Sequence, residues 1–333
     1  MSLTRRKFTQ TVGGSMATAV LPLFTQTARA ATTLTLGHGA APGNPRALGA
    51  DKFAELVAAG TNGEIKINVA GSEQLGNDVA MLTSVRTGVL DFTINSQGAV
   101  GGIAPEINAL GLPFLFNDAA HAYKVLSGPI GSNLVERIRS QDLTVLDWWD
   151  NGIRQITNSK KPIAEPHDLA GMKIRTPADA MTIDIFKELG AATEQIAFSE
   201  LYIALQQGVV DGQENPLANI ASSKLYEVNP YISLSGHKWE STPFIASVSV
   251  RKRVSEDQWQ VIIDAAKQAG NLQRELMAQA DEKYLGEFET NGDLNINQVN
   301  KTAFREATKP VLDKWRAKPF GDFVSMLIEA AVA

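Results

Sequence analysis

Along residues 34–94 the spacing of apolar side chains switches repeatedly between two periods. Leu34-Thr35-Leu36-Gly37-His38 reads as a strand, closed by the turn-rich run Gly39 to Pro45. Arg46 to Ala59 places Leu48, Phe53, Leu56 and Val57 at helical spacing, with Gly60 as its stop. Glu64 to Val69 then alternates Ile65, Ile67 and Val69 with Glu64, Lys66 and Asn68, the mark of a half-buried strand. A helix over Asp78–Thr87 and an apolar strand over Val89–Ile94 complete a β-α-β-α-β order. That order predicts an α/β domain with a largely parallel sheet.

A second set of units begins near Asn151. Strands are expected at Ile153–Thr157 and Met172–Arg175, followed by a helix over Ala178–Leu189 that Gly190 ends. Ser199 reads as the N-cap of a short helix carrying Leu201, Ala204 and Leu205, with Gly208 beyond it and a strand starting at Val209-Val210. Alternation returns over Pro243–Val250. From Ser255 the character changes: Ser255 with Gln258 forms a capping-box pattern. Trp259, Ile262, Ile263, Ala266, Ala269, Leu272, Leu276, Ala280 and Tyr284 continue it as one long helix, suited to bracing two domains. Helices near Thr302–Trp315 and Asp322–Ala330 close the chain.

The N-terminus has a different logic. Arg5-Arg6-Lys7-Phe8 precedes a weakly apolar run, Val12 to Phe24, and Ala28-Arg29-Ala30 supplies a small-residue cut site. This pattern predicts a signal peptide over residues 1–30 of the twin-arginine type, and hence a periplasmic location. The whole chain carries 31 Lys plus Arg and 36 Asp plus Glu, a net charge of −5. Removing the leader, which holds four of the bases and no acids, leaves 27 − 36 = −9. An acidic mature chain argues against a nucleic-acid partner. The absence of Cys excludes disulfide scaffolds, cysteine-ligated zinc and thiol catalysis.

Motifs for enzymatic chemistry are sparse. His38, His121, His167 and His237 share no metal-ligand spacing, and no phosphate loop, nucleophile elbow or dinucleotide fingerprint occurs. No cofactor is expected. Asp147 and Asp150 beside Trp148 and Trp149 leave a carbohydrate hydrolase as the competing class. Two arginines stand out, because Arg154 and Arg175 each sit in or at the end of an apolar strand. Ligands collect beyond strand ends in α/β sheets, and a guanidinium fits a carboxylate bidentately. Asn215 could add an amide donor. On physics alone, a structural ion pair with a protein carboxylate is the better account of each arginine.

At these residues the sequence resembles a known family. Asn151-Gly-x-Arg154-Gln, Asp168-Leu-x-Gly171-Met-Lys-x-Arg175-x-Pro177, and Phe198-Ser-Glu-x-Tyr202 through Gly208-Val-Val-Asp211-Gly-Gln-Glu-Asn215-Pro216 resemble the solute-binding proteins of tripartite ATP-independent periplasmic (TRAP) transporters. Gln74-Leu75-Gly76, Leu90-Asp91-Phe92 and Leu112-Pro113-Phe114 extend the likeness across residues 32–330.

The resemblance implies an α/β fold of the two-domain periplasmic binding protein kind, with crossing strands and a long domain-spanning helix. It implies domain I at 31–151 plus 241–280 and domain II at 152–240 plus 281–333. It also implies a receptor for a small organic acid, working with TRAP membrane permease subunits and meeting the membrane only through them. The carboxylate-gripping arginine falls on Arg175, the second arginine on Arg154, the amide on Asn215 and a pocket-wall aromatic on Phe198. His237 and Thr242 fall at further pocket positions. His38 and the region of Asn77 and Val79 match ligand-dependent contacts of the first domain. Ala178 and Val79 depart from the sialic-acid branch, which has Asn and a basic residue there, and this argues against sialic acid. Trp148, Trp239 and Glu240, with Trp149, Glu73 and Asp150, point to a ligand with ring faces or hydroxyls, unless the tryptophans are core. A hydroxylated or keto monocarboxylate is expected, with a four-carbon dicarboxylate as the alternative.

Overall fold

The computed structural model describes residues 31–332; the expected export signal lies outside the described residues. Five strands form the first sheet: β1 (Thr32–His38), β2 (Ile65–Ala70), β3 (Phe92–Ile94), β4 (Leu143–Ile153) and, much later in the chain, Trp239–Ser247. Six form the second: β5 (Gln155–Asn158), β6 (Lys173–Thr176), β7 (Ala192–Gln195), β8 (Gly212–Asn215), β9 (Tyr231–Leu234) and Asn295–Gln298. Numbered in chain order, Trp239–Ser247 is β10 and Asn295–Gln298 is β11. The sheet orders are β2-β1-β3-β10-β4 and β11-β9-β5-β8-β6-β7.

β1, β2 and β3 pair in parallel, as the β-α-β-α-β reading requires, while β10 runs antiparallel between β3 and β4. The chain crosses between the sheets twice, from β4 into β5 and from β9 into β10. The two crossings lie side by side, because the Arg154 N–H donates to the Lys238 carbonyl at 2.9 Å. Arg154 is therefore the residue at which one sheet hands over to the other, and Ile153–Thr157 is two strands rather than one.

The long helix runs from Glu256 to Thr290, 35 residues, capped by a reciprocal Ser255–Gln258 box. At about 1.5 Å per residue it reaches roughly 52 Å. Its first half packs Ile262, Ala266 and Ala269 among Phe53, Val57, Trp149 and Phe244 of the first-sheet core. Its end places Phe288 among Leu201, Val210, Ile220 and Ile232 beside the second sheet. Between them, Gln273 bonds both the N–H (2.9 Å) and the carbonyl (2.8 Å) of Asp150 on β4. One rigid element thus spans both halves.

Several expected boundaries move for local reasons. The strand expected at Val209 starts at Gly212, because the Val209 N–H still closes the preceding helix by donating to the Ala204 carbonyl, with Gly208 at φ +68°. β10 begins at Trp239 and ends at Ser247, which caps the short helix Val248–Arg251. The helix expected over Thr302–Trp315 is two, Lys301–Ala307 and Lys309–Arg316, since Pro310 has no N–H to continue the ladder. The last helix, Gly321–Val332, packs Phe323, Val324 and Leu327 in the core that also holds Leu126, Ile130 and Leu134. Among the described residues, no helix is long and apolar enough to cross a membrane.

Candidate ligand-binding site

A cavity opens where the two sheets meet, with about 430 Å³ of space including its mouth. Its walls bring together Arg46, Asp78 and Ser96 from the first half, Arg154, Asn151 and Glu240 from the crossings, and Arg175, Phe198 and Asn215 from the second half. Residues distant in sequence meet because both sheets point strand ends at this place, the position where α/β folds collect ligands.

Three guanidiniums line the cavity, and their partners give them different roles. Arg154, 2% exposed, is saturated. Its Nε and Nη2 grip the Glu214 carboxylate, its Nη1 bonds Glu240, and Nη2 also reaches the Glu214 carbonyl at 2.6 Å and Asn215 Oδ1 at 3.2 Å. The nearby charges of Glu214 and Glu240 outweigh burial, so Arg154 stays protonated throughout the accessible range. Glu214, although fully buried, is held well below the usual carboxylate range, its desolvation overcome chiefly by Arg154. For Arg154 the structural ion pair is realised.

Arg175 is the opposite case. It is 3% exposed and, among the described residues, has no carboxylate within salt-bridge distance; its Nε and Nη2 both donate to the Ile196 carbonyl. The Phe198 ring lies 5.8 Å from its guanidinium carbon. Burial, with the positive charge of Arg154 nearby, pushes its pKa down to about 10, so it remains charged at neutral pH. A buried cation lacking a protein counter-ion is poised for an anionic ligand.

Arg46, legible in the sequence only as the start of a helix, is the third. Proline at the first turn and Asn44 as N-cap start that helix so that Arg46 turns inward, 7% exposed. Its Nη2 donates to Asn151 Oδ1 at 2.7 Å, and its Nε has no partner. Its only advance signal was its place one residue after a turn-rich strand end. Asn151 also receives Asn219 Nδ2 at 3.2 Å, while Asn44 reaches Asn219 at 2.9 Å and Ser222 at 3.1 Å, a polar ladder joining the two halves.

The remaining expected site residues distribute as follows. Asn215 and Glu240 line the cavity, and Phe198 forms part of its wall. Asn77 caps the helix Asp78–Arg86 and, with Val79 and Ala178, lines an outer groove contiguous with the cavity. His38 stands behind the wall: its Nδ1 accepts the Ala40 N–H at 3.2 Å, and burial, with Arg46 nearby, pushes its pKa down to about 4. His237 is buried between Ser235 (2.9 Å) and Glu214 (3.2 Å), bracing the carboxylate that holds Arg154. Thr242 bonds the Asp150 carbonyl at 3.4 Å. Trp239 is core, edge-on to Phe116 and Tyr123, with its indole N–H on Asp150 Oδ1 at 2.8 Å. Trp149 is core against Phe244, and Trp148 packs half-buried at the edge of the adjoining core. The tryptophans therefore offer no ring face to this cavity, because β4 and β10 turn them toward helices.

Ser199 does not cap its helix. That helix starts at Phe198, and the Ser199 N–H donates instead to Glu73 Oε2 at 2.9 Å. Glu73 reaches it from a turn in which both Ser72 (φ 54°) and Glu73 (φ 58°) adopt left-handed backbone. A carboxylate of the first half thus closes onto a helix N-terminus of the second. Asp147 is occupied by Arg274 at 3.0 Å, and Asp150 accepts from Trp239 and the Gly152 N–H. Among the described residues, no group of three or more His, Asp or Glu is placed to hold a metal ion.

Two α/β halves, two crossings, a spanning helix and a buried cationic cleft define a solute receptor of the periplasmic binding class. The family model for bacterial extracellular solute-binding proteins, family 7, matches residues 36–318. The chain belongs to this family, whose members serve as receptors of TRAP transporters. It is 57% identical over 315 residues to an uncharacterized protein of Sinorhizobium fredii, covering 95% of this chain and 58% of that relative's length. A TRAP periplasmic solute-binding protein from a Polaromonas species bound to D-erythronate superposes with a TM-score of 0.86 at 34% identity, covering 91% of this chain and 98% of that one. A sugar acid binding protein from Advenella mimigardefordensis in complex with galactonate gives 0.88 at 32% identity, with coverage of 91% and 98%.

Proposed function

We propose that the mature chain is a periplasmic receptor that captures a hydroxylated or keto monocarboxylate on Arg175 and delivers it to TRAP permease subunits. The observation that carries this reading is Arg175 itself, buried, charged and without a protein carboxylate. The galactonate and D-erythronate complexes of similar structures support a sugar acid as the ligand. Export by the twin-arginine leader belongs to the same proposal. Arg154 orients: saturated by Glu214 and Glu240, it fixes the wall against which the ligand lies. Closure around the ligand excludes water, and hydrogen bonds to charged groups then contribute about 1.5–3 kcal/mol each.

A second reading, a four-carbon dicarboxylate, draws on Arg46, a second guanidinium without a carboxylate partner. A thermal-shift screen over monocarboxylates, dicarboxylates and neutral sugars tests both. Ligand at 100 times its Kd adds about 2.7 kcal/mol of stability. Shifts by neutral sugars alone would remove the carboxylate reading. Asp147 and Asp150 face Arg274, Trp239 and main chain rather than the cavity, so the receptor is expected to return its ligand chemically unchanged by mass spectrometry.

A further inference from the structure

The cavity that Arg175 lines also carries, among the described residues, three buried polar atoms without a partner, contributed by three different elements. They are Arg46 Nε, Asp78 Oδ1 and Glu240 Oε1. Each group is also anchored through another of its atoms. Arg46 Nη2 donates to Asn151 at 2.7 Å; Asp78 Oδ2 accepts the Ser96 N–H at 3.2 Å; Glu240 Oε2 accepts Asn151 Nδ2 at 3.0 Å and Arg154 Nη1. The side chains cannot swing to satisfy one another without losing these bonds. Among the described residues, Arg46 has no carboxylate within salt-bridge distance, although the charges of Asp78 and Glu240 bear on it.

Asp78 Oδ1 and Glu240 Oε1 therefore ask a ligand for donors, while Arg46 offers donors of its own. A hydroxyl supplies both kinds of bond, whereas a carboxylate or ketone only accepts. A second ligand carboxylate could meet Arg46. It would also stand against Asp78 and Glu240, with Glu73 nearby, and leave both orphan oxygens unpaired. A hydroxyl-free chain would bury all three groups unsatisfied.

We propose that Arg46, Asp78 and Glu240 form a hydroxyl-reading wall in the cavity that Arg175 lines, which makes this receptor select polyhydroxy monocarboxylates over dicarboxylates and hydroxyl-free acids. The inference rests on carboxylate capture by Arg175 and narrows it: Arg175 provides the grip, and the wall sets specificity.

Titration calorimetry at neutral pH with three four-carbon probes, D-erythronate, butyrate and succinate, and with D-galactonate as a longer polyol acid, tests the wall. A polyol acid is expected to bind at least about 100-fold tighter than butyrate and succinate, since sites built to bond a hydroxyl strongly reject analogues lacking it. Arg46→Gln and the isosteric Asp78→Asn, each checked for native circular dichroism, should weaken the polyol acids about tenfold or more. Butyrate, held at Arg175, should change less than the polyol acids, so that the selectivity ratio falls. Succinate or butyrate binding within tenfold of the polyol acids overturns the wall, as does a selectivity ratio that survives both substitutions. If a hydroxyl-free acid binds and loses affinity in Arg175→Ala while the polyol acids do not bind, the wall falls and capture by Arg175 stands. If no acid shows Arg175-dependent binding, both fall.

Discussion

Arg175 and Ile196 are joined by a forked hydrogen bond, with Nε and Nη2 of the guanidinium donating to one main-chain carbonyl at 2.9 and 2.7 Å. The carbonyl orients the planar group without neutralising it, so its charge stays available to a ligand. Replacing Arg175 by Ala should weaken ligand binding at least about tenfold, or 1.4 kcal/mol, by titration calorimetry. Arg175→Lys should rescue little, because an ammonium cannot hold the Ile196 fork and a carboxylate in the same plane. Unchanged affinity in Arg175→Ala would remove the proposed role.

Arg154 should behave as a stability residue. Its loss leaves Glu214 and Glu240 buried with their counter-ion gone, a change that typically costs about 3–5 kcal/mol. Urea unfolding of Arg154→Ala should show a loss of unfolding free energy of that order in the absence of ligand. A loss below about 1 kcal/mol would mean the network reorganises.

Gly270 sits mid-helix where alanine is intrinsically better by about 1 kcal/mol. A Cβ there would meet Asp147 Oδ2 at 2.0 Å and Trp149 Nε1 at 2.7 Å, and the indole is locked in the core. Overpacking of this kind costs about 1–3 kcal/mol, so Gly270→Ala should lower the melting temperature. A rise would show that the helix can draw back from β4.

Asp281 projects from the spanning helix with an unpartnered Oδ1, and burial, with Asp150 nearby, pushes its pKa up to about 7. The folded chain thus binds this proton more tightly than the unfolded one, whose carboxyl titrates at about 3.9. Stability is lost as pH rises from about 4 to 7, and the full penalty is present above that. Asp281→Asn should therefore stabilise by about 1–3 kcal/mol at pH 8 and by progressively less toward pH 4, by thermal melts across that range. An increment independent of pH would contradict the assignment.

Local patterns carried far in this chain. The capping box at Ser255, the Gly208 stop and the alternation over Ile65–Val69 were readable because each depends on neighbours within a few residues. Strands β7, β9 and β11 escaped notice for the converse reason: four-residue segments such as Ala192–Gln195 show little period and gain strand geometry only from a partner. Arg154 and Arg175 were both legible as arginines in apolar strands. Their difference was not, because no local rule pairs Arg154 with Glu214 and with Glu240, 86 residues away.

What the sequence determined alone was the set of elements with strong local codes, the negative charge, and the family likeness that singled out Arg175. The tertiary structure decided which charges remain free. By laying the two crossings side by side it spent Glu214 and Glu240 on Arg154, turned the tryptophans into the core, and drew Arg46 into the cavity that Arg175 lines. Free charge is a property of distances across the fold, and spacing along the chain does not encode those distances.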